Sequence, residues 1–249
     1  MADDLHRNHP PLEGPAPGAQ AAAPLGGHSP ERGAEHGVRA GAGGPGDDSR
    51  DTRPDRATRF IETTRGVLSY TELAPLLGER VTRLEQAVQA GEFACRPLDE
   101  FLFAEFHQRI CGDLTPDWAG KWRTVEVVVG PLTPPPPHRL PMLMRDYTLD
   151  LQVRWESAAG PDLDLTLEFL AFAEGRFLSI HPFHDFNGRT IRVFLSELLR
   201  RLDLPLVNLA PEDDAARQAY FAALEAADRL NWQPLVGVWQ ARFGETQAP

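Results

Sequence analysis

The chain has 249 residues, a formal charge of −11 and no basic stripe, a balance that argues against nucleic acid as the main partner. Cys95 and Cys111 are too few for a disulfide scaffold or a cysteine zinc site, and a reduced, cytoplasmic setting fits them. The opening MADDLHRNHPPLEG lacks a basic stretch followed by an apolar run, and no apolar run reaches about eighteen residues, so neither a signal peptide nor a membrane span is expected.

Residues 1–54 are rich in Gly, Pro, Ala, Asp and Arg, with almost nothing aromatic or β-branched. Such a stretch buries too little apolar surface to offset its ordering entropy, and it is expected to be a disordered tail. A helical segment is expected over 55–97. Asp55 to Thr64 begins to read as a short helix broken by Gly66. Tyr70 to Leu77 starts another, with Pro75 and Gly78 as interruptions, and Val81 to Ala90 carries Val81, Leu84 and Val88 on one face. Leu98 to Ile110 is the stronger helix, its stripe Phe101, Leu102, Ala104, Phe106 and Ile110 ending at Gly112.

Asp113 to Thr124, DLTPDWAGKWRT, reads as a tight turn at Gly120 clamped by Trp118 and Trp122. Lys121 within it is the only lysine of the chain, which excludes a phosphate loop of the GK[ST] kind. Val125 to Val129 is the one clear β run and stops at Gly130-Pro131. The prolines Pro134 to Pro137 that follow cannot enter a sheet interior or a helix. Helices are expected again over Leu140 to Trp155, Leu165 to Ile180, Ile191 to Leu204, Asp213 to Arg229 and Trp232 to Phe243.

Between the third- and fourth-last of these helices lies SIHPFHDFNGRTIR, Ser179 to Arg192. A polar loop between two apolar helices presents its polar groups at one edge. Asn187-Gly188-Arg189 opens the second helix, where free backbone N–H groups and the positive end of the dipole suit an anion. Arg189 and Arg192 are three apart and share a face. Asp185, a turn earlier, is placed to hold a divalent metal on phosphate oxygens. His181 is the proton acceptor whose unperturbed pKa lies nearest neutrality. The chemistry is that of a phosphate site with a base beside it.

HPFHDFNGRTIR resembles the signature of Fic proteins, HPFx(D/E)GNGRxxR, at His181, Pro182, Phe183, Asp185, Asn187, Gly188, Arg189 and Arg192. The WAG…R element of that family is matched by Trp118, Ala119, Gly120 and Arg123. The resemblance runs from about Leu98 to the end. It implies a mainly α, Fic-type helical bundle over 98–249 with a small β-hairpin flap, Val127 to His138 bordering the groove of the segment to be modified. It further implies transfer of AMP from Mg-ATP to a Ser, Thr or Tyr hydroxyl of a target protein. By the same resemblance His181 is the general base, Asp185 binds Mg²⁺, and Asn187 with the amides of Gly188 and Arg189 cradles phosphate. Arg189 then pairs with the β-phosphate, and Arg192 with the γ-phosphate or a regulatory carboxylate. A phosphotransferase of the Doc kind is disfavoured because that branch has Lys where Gly188 stands.

Phe186 departs from the family pattern, which has glycine there. Its ring either turns away from the nucleotide, leaving activity intact, or intrudes on it, leaving a binding or regulatory protein with a degenerate site. Activity is expected to survive, since the other positions are intact. Thr58-Arg59-Phe60-Ile61-Glu62 also resembles the inhibitory pattern [S/T]xxxE[G/N] of the family, with Thr63 in the last place. That resemblance makes Glu62 the candidate inhibitory carboxylate, on a helix, opposite Arg192.

Overall fold

A computed structural model describes residues 60–246. The tail expected over 1–54, and Thr58 and Arg59 of the inhibitory pattern, lie outside the described residues. The described part is mainly helical, with a small antiparallel hairpin, as the resemblance implies.

The hairpin is not where it was expected. β1 (Phe60–Thr63) pairs with β2 (Gly66–Ser69) in the register Phe60↔Ser69 to Thr63↔Gly66, so the described part of the short helix expected over Asp55 to Thr64 is a strand and the start of a turn, and its first five residues lie outside the described ones. The physical reason is that a helix there would be too short to sustain itself. Ile61 instead reaches the core, Gly66 supplies φ 99 after the turn, and Thr64 is tied to the end of the next helix pair by N–H to the Leu114 carbonyl at 2.8 Å. Glu62 therefore stands exposed on a strand, not on an inhibitory helix.

α1 (Tyr70–Gln89) is one helix, and Pro75 and Gly78 do not divide it. Ser69 and Glu72 form a capping box, the Ser69 N–H donating to Glu72 Oε2 at 2.8 Å, a motif worth about 1 kcal/mol. Pro75 stands in the second turn and removes a single bond, to Thr71. The buried stripe Leu73, Leu77, Leu84 and Val88 carries the helix past it. α2 (Glu100–Cys111) is capped by Asp99 and buries Leu102, Phe103, Phe106, His107, Ile110 and Cys111.

The run Val125–Val129 forms no strand. Among the described residues its one ladder is an isolated bridge, Val129 with Leu132, closing a two-residue turn at Gly130-Pro131. Among the described residues no strand neighbours Val125 to Val128, and two of those valines, Val125 and Val128, are exposed, so β propensity had nothing to pack on. Pro136, in the polyproline conformation, hands the chain through a 3₁₀ turn (Pro137–Arg139) to α3 (Leu140–Ala158).

α4 (Leu163–Ile180) and α5 (Asn187–Arg201) form the centre and are buried almost all round. α4 packs against α3, α5, α6 (Asp214–Asp228) and α7 (Gln233–Thr246), and α5 packs against α1, α2 and α4. At Gly175 a Cβ would stand 2.9 Å from both Ala227 Cβ and Trp232 Cζ3, so the glycine permits that close approach. Glu174, fully buried beside it, takes Arg242 at 2.7 Å and the Tyr220 hydroxyl at 2.8 Å, joining α4, α6 and α7.

Candidate active site

The segment between α4 and α5 is bounded by two residues in the left-handed region. His181 ends α4 in the left-handed region, φ 50 and ψ 61, its N–H donating to the Phe177 carbonyl at 2.9 Å. Phe186 precedes α5 in the same region, φ 56 and ψ 17. Side chains resist that conformation, so the surroundings must fix it.

Two side chains do so. Asn187 accepts from the Phe183 N–H at 2.9 Å and donates to the Phe183 carbonyl at 3.0 Å, closing the loop on itself. Its amide thus braces the loop, and the N–H groups of Asn187, Gly188 and Arg189 at the start of α5 have no intrahelical acceptor. Arg123 donates from Nε to the His181 carbonyl at 2.8 Å, and its own N–H reaches the Pro182 carbonyl at 2.9 Å. The other arms of its guanidinium go to the carbonyls of Val125 at 2.9 Å and Pro135 at 2.6 Å, at the two ends of the flap.

Phe183 lies flat on His107, centroids 3.9 Å apart at 5°, and Phe186 is buried against Trp118 at 5.6 Å and Tyr70 at 6.1 Å. The ring of Phe186 has turned inward. It is absent from the lining of the two cavities described next.

Those cavities divide the motif. His181 opens on a small one, about 70 Å³, under the flap turn Val129 to Leu132 and against Leu178, Phe221 and Leu224. Arg189 and Arg192 open on a larger one, about 550 Å³, between α1, α5 and the segment 207–210. That volume lies in the range of small-molecule sites. The turn Val129 to Leu132 and His181 share one of these cavities, and the two arginines line the other.

Asp185 is buried, its Oδ1 accepting from the Phe186 N–H at 2.7 Å and the Tyr70 hydroxyl at 2.8 Å. Among the described residues no group of three or more His, Cys, Asp or Glu side chains is arranged to hold a metal. Asp185 lines neither cavity, but its partner Tyr70 precedes Thr71, which lines the larger one with Arg189; one carboxylate in that place is enough for Mg²⁺ that arrives on a nucleotide, with phosphates and water completing its shell.

Residues 97–199 match the Fic/DOC family. Over that span the chain is similar to a Fic/DOC domain. It is 30% identical over 132 residues to the protein adenylyltransferase Fic of Nematostella vectensis, spanning 53% of this chain and 29% of that protein. It is 34% identical over 139 residues to the protein adenylyltransferase fic-1 of Caenorhabditis briggsae, spanning 56% and 25%. The chain thus spans less than a third of the length of these curated relatives. The fold is that of BepC from Bartonella tribocorum, a VirB-translocated effector solved with bound AMPPNP, at a TM-score of 0.56 and 16% identity over 76% of this chain and 94% of that one. The N-terminal Fic domain of a Bartonella sp. AR 15-3 effector is similar at a TM-score of 0.55 and 14% identity, covering 78% and 93%.

Two residues that hold this loop were not found by sequence reasoning. His107 Nδ1 accepts from the Gly120 N–H at 2.9 Å, which leaves Nε2 to donate to the Asp185 carbonyl at 3.1 Å. Burial pushes its pKa down to about 4, so it is neutral near pH 7. Its signal was there: position 107 continues the apolar face of Phe103 and Ile110, where a histidine is out of place. Tyr70 had no signal, because only the folding of α1 onto α5 brings it to Asp185. No described helix is long and apolar enough to cross a membrane.

Proposed function

We propose that the protein is an adenylyltransferase that moves AMP from Mg-ATP to a Ser, Thr or Tyr hydroxyl of a target protein and releases pyrophosphate. The observation that carries this reading is the position of the α5 N-terminus. It follows directly on the loop that His181 opens beneath the flap, and it bears Arg189 and Arg192 on the larger cavity.

His181 takes the proton of the target hydroxyl. The freed oxygen bonds to the α-phosphorus while the bond from that phosphorus to the bridging oxygen breaks, and the electron pair leaves with pyrophosphate. The amides at the start of α5 and the two arginines hold phosphate oxygens. Arg189 acts as a charged fork and Arg192 reaches the outer phosphate. Asp185 would hold Mg²⁺ brought in by the nucleotide, and the ion would supply charge to offset that of the phosphates. The flap carries the target segment to His181. Phe186, packed in the core and absent from both cavities, favours an active site over a degenerate one.

Purified protein is incubated with ATP labelled at the α- or the γ-phosphate, a lysate as the source of targets, and His181→Ala as control. Incorporation of α-label that His181→Ala abolishes supports the reading. Incorporation of γ-label only makes the protein a phosphotransferase, and absence of both makes it a binding protein. Comparing ATP turnover of Glu62→Gly with the parent tests the restraining role that the resemblance assigns to Glu62; equal rates remove it.

A further inference from the structure

We propose that Tyr70 is a positioning residue for Asp185, and that Tyr70 and Phe186 together form an aromatic brace that stands in for the glycine of the family pattern. The inference rests on the reading of Asp185 as the carboxylate that takes the nucleotide's Mg²⁺. Tyr70 belongs to α1, outside the span 97–199 that matches the family.

Three observations converge on it. The Tyr70 hydroxyl donates to Asp185 Oδ1 at 2.8 Å, the same oxygen that takes the Phe186 N–H at 2.7 Å. Two donors on one oxygen, arriving from two different segments, fix the direction of a carboxylate as one donor cannot. The Tyr70 ring then lies 6.1 Å from the ring of Phe186. The guanidinium carbon of Arg189 sits 5.8 Å from the centroid of each, within the range of a cation–π contact. One tyrosine thereby touches the metal carboxylate through its hydroxyl and shares a phosphate arginine with Phe186 through its ring.

The brace explains how a phenylalanine is tolerated at φ 56. A glycine would adopt that conformation without cost but would offer Tyr70 and Arg189 no surface. Here the ring is held between Tyr70 and Trp118, and the direction of Asp185, which sits next to it, is set from α1. The outer support of an ion-binding carboxylate commonly matters to metal affinity about ten-fold or more.

Tyr70→Phe keeps the ring and removes only the donor. Binding of a fluorescent ATP analogue, mant-ATP, is titrated with Mg²⁺ and in its absence, with melting temperature measured alongside. The expected result is a rise of about ten-fold in the Mg²⁺ concentration for half-maximal binding, with metal-free binding unchanged and melting within a few degrees of the parent. An unchanged Mg²⁺ midpoint overturns the proposal, and so does an equal loss with and without Mg²⁺ or a collapse of melting temperature, which would mark a purely structural tyrosine. Asp185→Asn separates the two layers. If it leaves the Mg²⁺ midpoint in place, the assignment of Asp185 falls and this inference with it. If it moves the midpoint while Tyr70→Phe does not, only the inference falls.

Discussion

Arg123 Nε donates to the His181 carbonyl at 2.8 Å, and the other arms of the same guanidinium hold Val125 and Pro135. One buried side chain therefore fastens both ends of the flap to the residue that is proposed as the base. The Arg123 N–H adds a further tie to the Pro182 carbonyl at 2.9 Å.

Arg123→Lys is expected to destabilise the protein by about 2–4 kcal/mol, because an ammonium on a flexible stem cannot serve three carbonyls in a plane and leaves buried acceptors unpaired. Transfer should fall more than about ten-fold while ATP affinity changes little, since Arg189 and Arg192 are untouched. Thermal melting and a comparison of kcat with KM for ATP check this. A drop in ATP affinity alone would contradict it.

Phe186→Gly relieves a left-handed phenylalanine, a gain of about 1–2 kcal/mol, but empties a buried aromatic site, a loss of about 3–5 kcal/mol. The variant should melt lower, by a net of about 2 kcal/mol, and still bind mant-ATP. Binding that appears in the glycine variant and is missing from the parent would show that the ring obstructs the nucleotide after all.

His107 links acid stability to the same loop. Its folded pKa, about 4, lies below the unfolded value of about 6.5 because burial disfavours the imidazolium. The unfolded chain then binds more protons between those two values, so the stabilising contribution is complete above about pH 6.5. It is lost as pH falls toward and through 4, by about 3 kcal/mol in all. Denaturant unfolding across pH 7 to 4 should show a shallower decline in His107→Gln, which does not titrate. Parallel curves would exclude His107 as the source.

The Glu174–Arg242 pair offers a test far from the chemistry. Both groups are buried, with Nη1 to Oε2 at 2.7 Å and a further arm of Arg242 on the Leu209 carbonyl at 3.1 Å. Arg242→Met strands a buried carboxylate and should cost about 3–5 kcal/mol, whereas adding Glu174→Leu should recover much of that loss. Denaturant midpoints of the single and double variants measure it. If the double variant is as unstable as the single, the cost lies in packing and not in charge.

The sequence alone determined the helices, the two helix-joining motifs and the chemistry they carry. Leu167, Leu170, Phe177, Val193, Phe194 and Leu198 repeat at helical spacing whatever surrounds them, and His181 to Arg192 are near one another because they are consecutive. It misjudged Phe60 to Thr63 and Val125 to Val129, where the local preference is weak and long-range partners choose: Leu114 and the core for the first, the lack of a neighbouring strand for the second. Only the tertiary structure decided where the ring of Phe186 goes, that Arg123 and His107 bind the loop, and that Tyr70 meets Asp185 across 115 positions. Hydrogen bonds of that reach leave no periodicity in the chain, because they depend on how α1, α2 and the flap pack against α4 and α5, and packing is a property of surfaces brought together, not of residues in line.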